Sequence, residues 1–491
     1  STISHEVFGR LKPGLRVEME DRQDRSPFTD SLLTGSFRYL EIAPGLSLIN
    51  LDPFRATAEI QLRTEDSASS GTMTRAFHAL TQLYDLQLKE WRSFSSSISL
   101  TLRRTDLPDE LAAGSGSASN TMLVRSQVRY APWQRALDAD GLYEFARERS
   151  AAMKRAFLRV AKGTGNYTYK GDLNQNGIGD ENEFEQTRFD GEYVAMYLPS
   201  DQLVPVVDLR AGLRLRFTPA RLFSQRHGFF EKALAAISTE TVARIEEKST
   251  EPEARQIYFL HLSKFLNDST TIAGSNLFTQ DLYVFEADPS FSLRFRFNQR
   301  NGLLRLLGST EKSYSRERSI RLRTQPLKEI GNETEFKNKV DQLFSSIDSP
   351  RRRNLVSHAL KTEFSYRPYP EWEVAFGTGL SQVTNRFDGA DATADLNDQF
   401  LRLTYSIVSF GQLRSEVQRE EVRIAKGSNL GLREYPFEFT NGQVVGKTLL
   451  WRLAFDYRIS QYIQVSVNYD GRSEGGRRTV HSARAEARAF F

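Results

Sequence analysis

Side chains along much of this chain switch between apolar and polar at every step. In 206–217, Val207, Leu209, Ala211, Leu213, Leu215 and Phe217 share one face, while Asp208, Arg210, Gly212, Arg214 and Arg216 share the other. A period of two is the signature of extended backbone, and a run near ten residues exceeds the ordinary strand of about five to six. The same holds for Phe291, Leu293, Phe295 and Phe297, and for Leu401, Leu403, Tyr405 and Ile407. It holds again for Trp451, Leu453, Phe455, Tyr457 and Ile459, then for Ile463, Val465, Val467 and Tyr469. Residues 54–64, 96–104 and 121–131 read the same way. Asn301-Gly302, Asp388-Gly389, Asn441-Gly442 and Asp470-Gly471 are expected to be tight reversals, because these residues reach positive φ at small cost.

Some stretches carry a longer period. Residues 220–247 place apolar side chains three and four apart, which predicts a helix that 253–266 continues. Residues 143–160 and 335–347 are weaker helix candidates, and 111–120 (LAAGSGSASN) reads as a flexible linker. The organisation expected is an amino-terminal β region over 1–131 and an insertion over 132–200. A second β region occupies 201–491, with a helical insertion at 218–266 and a closing carboxyl-terminal strand.

Composition removes several classes of function. None of the 491 residues is cysteine, so disulfides, thiolate metal sites and cysteine nucleophiles are excluded. The balance of 66 basic and 62 acidic residues is no nucleic-acid footprint, and no glycine-rich strand-to-helix junction suits a nucleotide. No apolar run reaches the roughly 20 residues of a membrane helix. The start, Ser-Thr-Ile-Ser-His, has neither methionine nor an apolar leader, so the chain is read as a processed form or a fragment. The aromatic supply, 33 Phe and 18 Tyr in a polar chain, suits strands with one wet face.

One short motif carries chemistry. In DLNQNGIGDENE, residues 172–183, oxygen donors fall at Asp172, Asn174, Asn176, Asp180 and Glu183, which are positions 1, 3, 5, 9 and 12. The carbonyl of Ile178 supplies position 7, and Gly177 sits where the chain must bend. This spacing wraps a hard cation, and the mixed carboxylate, amide and carbonyl set favours calcium over magnesium. The bland alternative is a self-capping Asn/Asp/Gly turn. The extended flank Tyr167-Thr168-Tyr169 and the turn expected at Asp190-Gly191 argue against an EF-hand. No GxSxG, HExxH or phosphate-cradling motif appears, so no catalytic residue is nominated. Adjacent acidic pairs such as Glu371/Glu373 and Glu420/Glu421 are the only raw material for a hydrolase.

The loop resembles the calcium repeats of thrombospondin type 3, in which DxNxNGIxDxxE stands without paired helices. The last strand-like run, with His481, Ala483, Ala485, Ala487, Ala489 and Phe491 on one face, resembles the closing strand of bacterial outer-membrane β-barrels, although four alanines make a poor lipid stripe. More broadly, GNYTYKGDLNQNG (165–177), DGEYV (190–194), NYDGR (468–472) and VHSARAEARAFF (480–491) resemble the carboxyl-terminal region of large outer-membrane or surface proteins of the Bacteroidota and Chlorobi type. The fold expected is therefore mainly β, an antiparallel meander of outer-membrane barrel type with long insertions and a few helices. A soluble β-sandwich or stacked sheets is the alternative. The function expected is a non-catalytic, calcium-stabilised envelope protein, in contact with outer-membrane lipid and other envelope proteins. A soluble exported adhesin or scaffold, and then a secreted hydrolase, are the alternatives. Arginines recurring on the polar faces (Arg210, Arg214, Arg216, Arg294, Arg296, Arg321, Arg323, Arg402, Arg452 and Arg458) raise an anionic ligand as a further expectation.

Overall fold

Alternation is realised as one antiparallel meander. The computed structural model describes residues 2–4, 9–26, 29–33, 35–69, 71–106, 119–177, 179–223, 228–346, 351–387, 392–425, 435–475 and 478–490. These form a 23-stranded sheet. Its strands are β1 Thr2–Ser4, β2 Leu11–Arg22, β3 Phe37–Leu51, β4 Phe54–Ser69, β5 Thr72–Trp91, β6 Phe94–Asp106, β7 Ser119–Tyr130 and β8 Leu137–Arg159. The short β9 Gly165–Tyr169 and β10 Phe184–Gly191 precede β11 Tyr193–Phe217, β12 Ile237–Ser249, β13 Thr271–Val284, β14 Phe291–Leu306 and β15 Ser309–Leu327. Then come β16 Ile330–Ser345, β17 Arg353–Tyr369, β18 Trp372–Asn385, β19 Ala392–Ile407, β20 Gly411–Ala425, β21 Gly446–Ser460, β22 Ile463–Glu474 and β23 Val480–Ala489. The mainly-β antiparallel reading and all the strands named from periodicity are borne out.

Contacts divide the chain into a first unit (1–152, 201–224 and 241–276) and a second (153–200, 225–240 and 277–491). In the second unit the register puts one apolar row across five strands: Phe295 pairs Ile320, Ile320 pairs Phe336, Phe336 pairs Leu360, and Leu360 pairs Leu380. A parallel row joins Phe364, Phe376, Leu401, Val417 and Trp451. The opposite face is charged. Arg402 pairs Glu416 across β19 and β20, and Arg321 pairs Glu335 across β15 and β16. The first unit repeats the division, with Leu48, Ala56, Leu86 and Ile98 in one apolar row. There Arg63 bonds Glu65, and Arg16 bonds Glu18 and Glu59.

The ends of the strands differ. In the second unit the connections Leu327–Ile330, Tyr369–Trp372 and Ser460–Ile463 are tight, and so is Trp91–Phe94 in the first. Arg92 and Ser93 both take positive φ (50° and 72°), as a primed hairpin turn requires. Aromatic side chains crowd these turns: Phe54 and Trp91 in the first unit, and Tyr369, Trp372, Phe410 and Tyr462 in the second, are exposed. The longer excursions 160–192, 250–270 and 435–445 leave from the other ends of their strands, whereas 218–236, described in part, joins β11 to β12 at the tight-turn end.

Several expectations are corrected. Residues 237–249, 137–159 and 330–345 are strands, so among the described residues the helices foreseen at 220–247, 143–160 and 335–347 do not form beyond the 3-10 turn Pro219–Arg221 and a short helix at Phe229–Ala235. The reason is visible in 237–245: Ile237, Thr239, Thr241 and Ile245 are β-branched and alternate, and pairing on both sides rewards that pattern over the three-and-four spacing. Helical turns do occur within 253–266, at Ala254–Tyr258 and Leu262–Lys264. Asn301-Gly302 and Asp470-Gly471 lie inside β14 and β22 and are not reversals. Gly471 is needed there for clearance, since a Cβ would meet the Trp451 ring at 2.1 Å. Asp190-Gly191 ends β10. Asn441-Gly442 is a left-handed turn, with φ of 53° and 72°. Asp388-Gly389, Phe491 and residues 111–118 of the expected linker 111–120 lie outside the described residues, while Ser119 and Asn120 open β7.

Candidate functional site

The loop over 172–183 folds by turning its polar side chains inward. Asp172 accepts the amide N–H of Gly177 at 2.9 Å and of Asn176 at 3.2 Å. Gly177 has φ +71°, the conformation its place in the loop demands. The carboxamides of Asn174 and Asn176 both donate to one oxygen of Asp180, at 2.6 and 2.8 Å. Glu183, buried at 1% exposure, accepts the amides of Leu173 at 2.8 Å and Asp180 at 3.1 Å. The amide of Gly177 above all, with those of Gln175 and Asn176, holds the Asp172 carboxyl below the ordinary carboxylate range.

Asp172, Asn174, Asn176, Asp180 and Glu183 are thus brought together in one loop, while Ile178 lies outside the described residues. Among the described residues, no three Asp, Glu, His or Cys side chains are gathered tightly enough to hold a metal ion by themselves. Carboxamides occupy part of the loop's interior instead. Their chemistry is compatible with a hard cation, because a half-turn of Asn174 or Asn176 exchanges nitrogen for oxygen at the same place.

Residues at the end of the loop and just beyond it tie it to the sheet. The turn Glu181–Glu183 is a 3-10 turn, and Glu181, at position 10 of the motif, is not one of the nominated donors. Its carboxylate meets Arg155 on β8 at 2.7 Å and Arg351, just before β17, at 3.8 Å. Arg155 also grips both oxygens of Glu311 on β15, at 3.0 and 2.8 Å, and the Arg155 and Glu311 side chains are only 6% and 7% exposed. Immediately after the loop, Phe184 stacks on Phe157 of β8 with ring centres 3.9 Å apart. Further along β10, Arg188 clamps Glu420 of β20 at 2.7 and 2.9 Å, and Asp190 takes Arg472 of β22 at 2.5 Å. At its base, Gly191 passes so close to Gly165 that a Cβ would sit 2.3 Å from the Gly165 carbonyl carbon. The excursion 160–192 is therefore laid on the charged face of its unit.

A second segment lies on the same face. Phe439, fully buried, packs against Leu355, Val383, Leu396 and Val422. Between this segment and the excursion is a cavity of about 230 Å³, lined by Tyr167, Phe184, Arg188, Tyr435 and Phe437 among others.

Sequence reasoning did not find these anchors. Arg188 and Glu420 are 232 residues apart, and only the register of intervening strands puts them opposite one another. The polar-face arginines foreseen as an anion surface are largely committed to carboxylates: Arg210 to Asp208, Arg294 and Arg321 to Glu335, Arg296 to Asp281, Arg402 to Glu416, and Arg452 to Asp470. Glu420 faces Arg188, while Glu421, its neighbour on the strand, projects to the other face and binds Arg419 and Arg423.

No family model and no curated protein matches the chain. Solved structures with a detectable likeness include the FrpB iron transporter from Neisseria meningitidis (10% identity, 94% of this chain and 68% of that one, TM-score 0.37). The ferric yersiniabactin uptake receptor FyuA from Yersinia pestis is similar at 10% identity, over 100% of this chain and 77% of that one, with TM-score 0.37. Outer-membrane expressed OmpT of Vibrio cholerae is similar at 8% identity, over 72% and 98%, with TM-score 0.27. Identities and scores this low carry no family, cargo or activity over to this chain.

Proposed function

We propose that the chain is a non-catalytic outer-membrane protein whose sheet crosses the bilayer as a barrel, apolar face to lipid and charged face to the lumen. One observation carries this reading: charge is inside and grease is outside. Glu311, Asp281 and Glu420 are buried at 6%, 5% and 1% exposure, while Phe376, Leu401 and Leu380 stand 49%, 52% and 52% exposed. A water-soluble sheet packs its apolar face and solvates its charges, so a soluble adhesin or scaffold would leave this arrangement inverted.

The apolar belt also has the right height. On β17 it runs from Tyr369 at the tight turn, across the register shift between Tyr366 and Tyr369, through Tyr366 and Phe364 to Leu360, with Thr362 its polar member, and at His358 the same face turns polar. Nine residue steps at about 3.3 Å give roughly 30 Å along the strand, or about 22 Å once tilted by 40–45°. That is close to the hydrocarbon band of an outer-membrane barrel. On β18 Leu380, paired with Leu360, gives way to Gln382, paired with His358, while on β19 the change comes earlier, at Gln399 opposite Thr378. Tight turns bearing Tyr, Trp and Phe predominate at one end and most of the long excursions leave from the other, as at the periplasmic and exterior ends of such a barrel, with 218–236 the exception.

Calcium completes the reading. Asp172, Asn174, Asn176, Asp180 and Glu183, with the carbonyl of Ile178, would hold the ion, which supplies positive charge to a loop carrying three carboxylates. Near-millimolar exterior calcium would keep even a modest site filled. The test is membrane fractionation: the protein should resist alkaline wash, need detergent for release, and run compactly on a gel until boiled. Release without detergent would refute it.

A further inference from the structure

We propose that the outward face of the first unit binds a phosphate-bearing membrane lipid, with its phosphate between Arg104 and Arg147 and its acyl chain on Leu102 and Met122. This rests on the barrel reading above and deepens it by giving one lipid a fixed place. Ile98, Leu100, Leu102 and Arg104 alternate on one face of β6, the face of the exposed row through Leu86 and Ile98. Across the register, Leu102 pairs Met122 and Met122 pairs Arg147, while Arg104 lies between Leu80 and Asn120. These side chains, with Pro205, line an open groove of about 510 Å³. Eight steps from Phe94 at the tight turn to Leu102 give roughly 26 Å along the strand, or about 19 Å once tilted. Arg104, two steps further, stands at about 24 Å. The floor of the groove is therefore at the depth of acyl chains, and its arginines are at the depth of head groups.

One wall of the groove is protein. The excursion 250–270 crosses to this outward face, where Ile257 and Phe265 pack with the buried Phe145, Val207 and Leu209. Tyr258 lays its ring on Phe145, centres 3.9 Å apart, and its carbonyl accepts the Tyr143 hydroxyl at 2.9 Å. Met122 packs against the same cluster, so the groove begins where the excursion ends. Phe259 and Leu262 of the excursion are 74% and 60% exposed, apolar side chains that suit a bilayer and not water. Charge decides which lipid is taken. The arginines of the charged face are largely held by carboxylates. Arg147, by contrast, has no carboxylate partner among the described residues, and Arg104 has only the half-exposed Asp106, at 3.0 Å. β6 and β8 flank β7, so the two arginines rise from strands roughly 10 Å apart with positive charge on both sides of the gap. A phosphomonoester can accept from both guanidinium forks at once, whereas a choline-capped phosphate brings its own cation.

The test uses the full chain in phosphatidylcholine vesicles, with a bimane label on Gln82→Cys at the margin of the groove. Quenching by brominated phosphatidic acid, compared with brominated phosphatidylcholine, reports occupancy. Half-quenching should come at a mole fraction about 25-fold lower for phosphatidic acid, taking about fivefold for each arginine. Arg104→Gln and Arg147→Gln should each remove about fivefold, and together the whole preference. Arg103→Gln, next to Arg104 but on the charged face, should change nothing. Leu102→Trp, which fills the floor and keeps both arginines, should also lower the preference, and it serves if an arginine variant fails the heat-shift gel. Equal half-quenching by the two lipids, or an equal loss in Arg103→Gln, would overturn the site. Displacement by inorganic phosphate would overturn it too, since the groove would then hold an anion without a lipid. No quenching by either lipid, with ready quenching by iodide, would instead sink the barrel reading, because water would face the groove. No quenching, with energy transfer between labelled copies, would give the groove to a second copy of this chain and overturn the lipid.

Discussion

Replacing Phe376 by arginine puts a cation in the middle of the row formed by Phe364, Phe376, Leu401 and Val417. If water faced this side chain, which is 49% exposed, the exchange would be an ordinary surface substitution worth within about 0.5 kcal/mol. If lipid faces it, an arginine near the bilayer midplane costs about 2–4 kcal/mol, or roughly 30- to 700-fold in the folding equilibrium. Gln382→Arg, six residues along the same face, supplies the internal comparison. There the belt has ended, and the cost should fall to about 0–1 kcal/mol. The assay is reversible denaturant unfolding of the vesicle-inserted protein, followed by fluorescence of its 4 tryptophans. A loss of about 2 kcal/mol or more for Phe376→Arg, with little for Gln382→Arg, is the expected result. Equal small effects at both positions would refute a lipid-facing row.

Arg155→Ala should cost about 1–3 kcal/mol in the same assay, because it removes the bidentate partner of the buried Glu311 and leaves Arg351 alone to pair both Glu311 and Glu181. Arg155→Lys, with one head group for two carboxylates, should fall between. Gly471→Val should cost about 1–3 kcal/mol and shift tryptophan emission, since its first side-chain carbon meets the Trp451 ring. The Asp172 carboxyl is held low by loop amides, so its folded pKa lies below its unfolded one. Its contribution is then present above about pH 3.9 and fades as pH falls through the folded value. Hydrogen exchange at the Asn176 and Gly177 amides in calcium-free buffer should accordingly stay slow down to that range and accelerate only below it.

Periodicity made the sheet legible because a strand's two faces meet different surroundings, and β19 or β22 advertises that at every residue. It misled where two periods coexist. Residues 237–247 satisfy both a helical and an extended pattern, and only the hydrogen-bonding edge of a neighbour decides between them. The dipeptides at 301–302 and 470–471 have the chemistry of turns, yet Gly471 serves to clear a tryptophan ring on the adjacent strand. That requirement is invisible without the register. The loop at 172–183 was readable since its contacts are local, none of those bonds spanning more than ten residues. Its anchors were not, because Glu181, Arg188 and Asp190 find partners on strands far along the chain. The apolar stripes were legible too, but their exposure was not. Alternation alone cannot say which face meets the interior.

Lipid contact is the claim on which the rest stands, and a chain with 0 cysteines allows it to be measured cleanly. Single cysteines at Leu360, Phe376 and Leu401, at Gln382 and Asn397, and at Arg402 can each carry a spin label in the vesicle-inserted protein. Labels at the first three should relax with dissolved oxygen and resist a water-soluble nickel chelate. Labels at Gln382 and Asn397 should respond to the chelate, and the label at Arg402 should be shielded from lipid. Ready access of the nickel chelate to Leu360, Phe376 and Leu401 would contradict a membrane-spanning sheet.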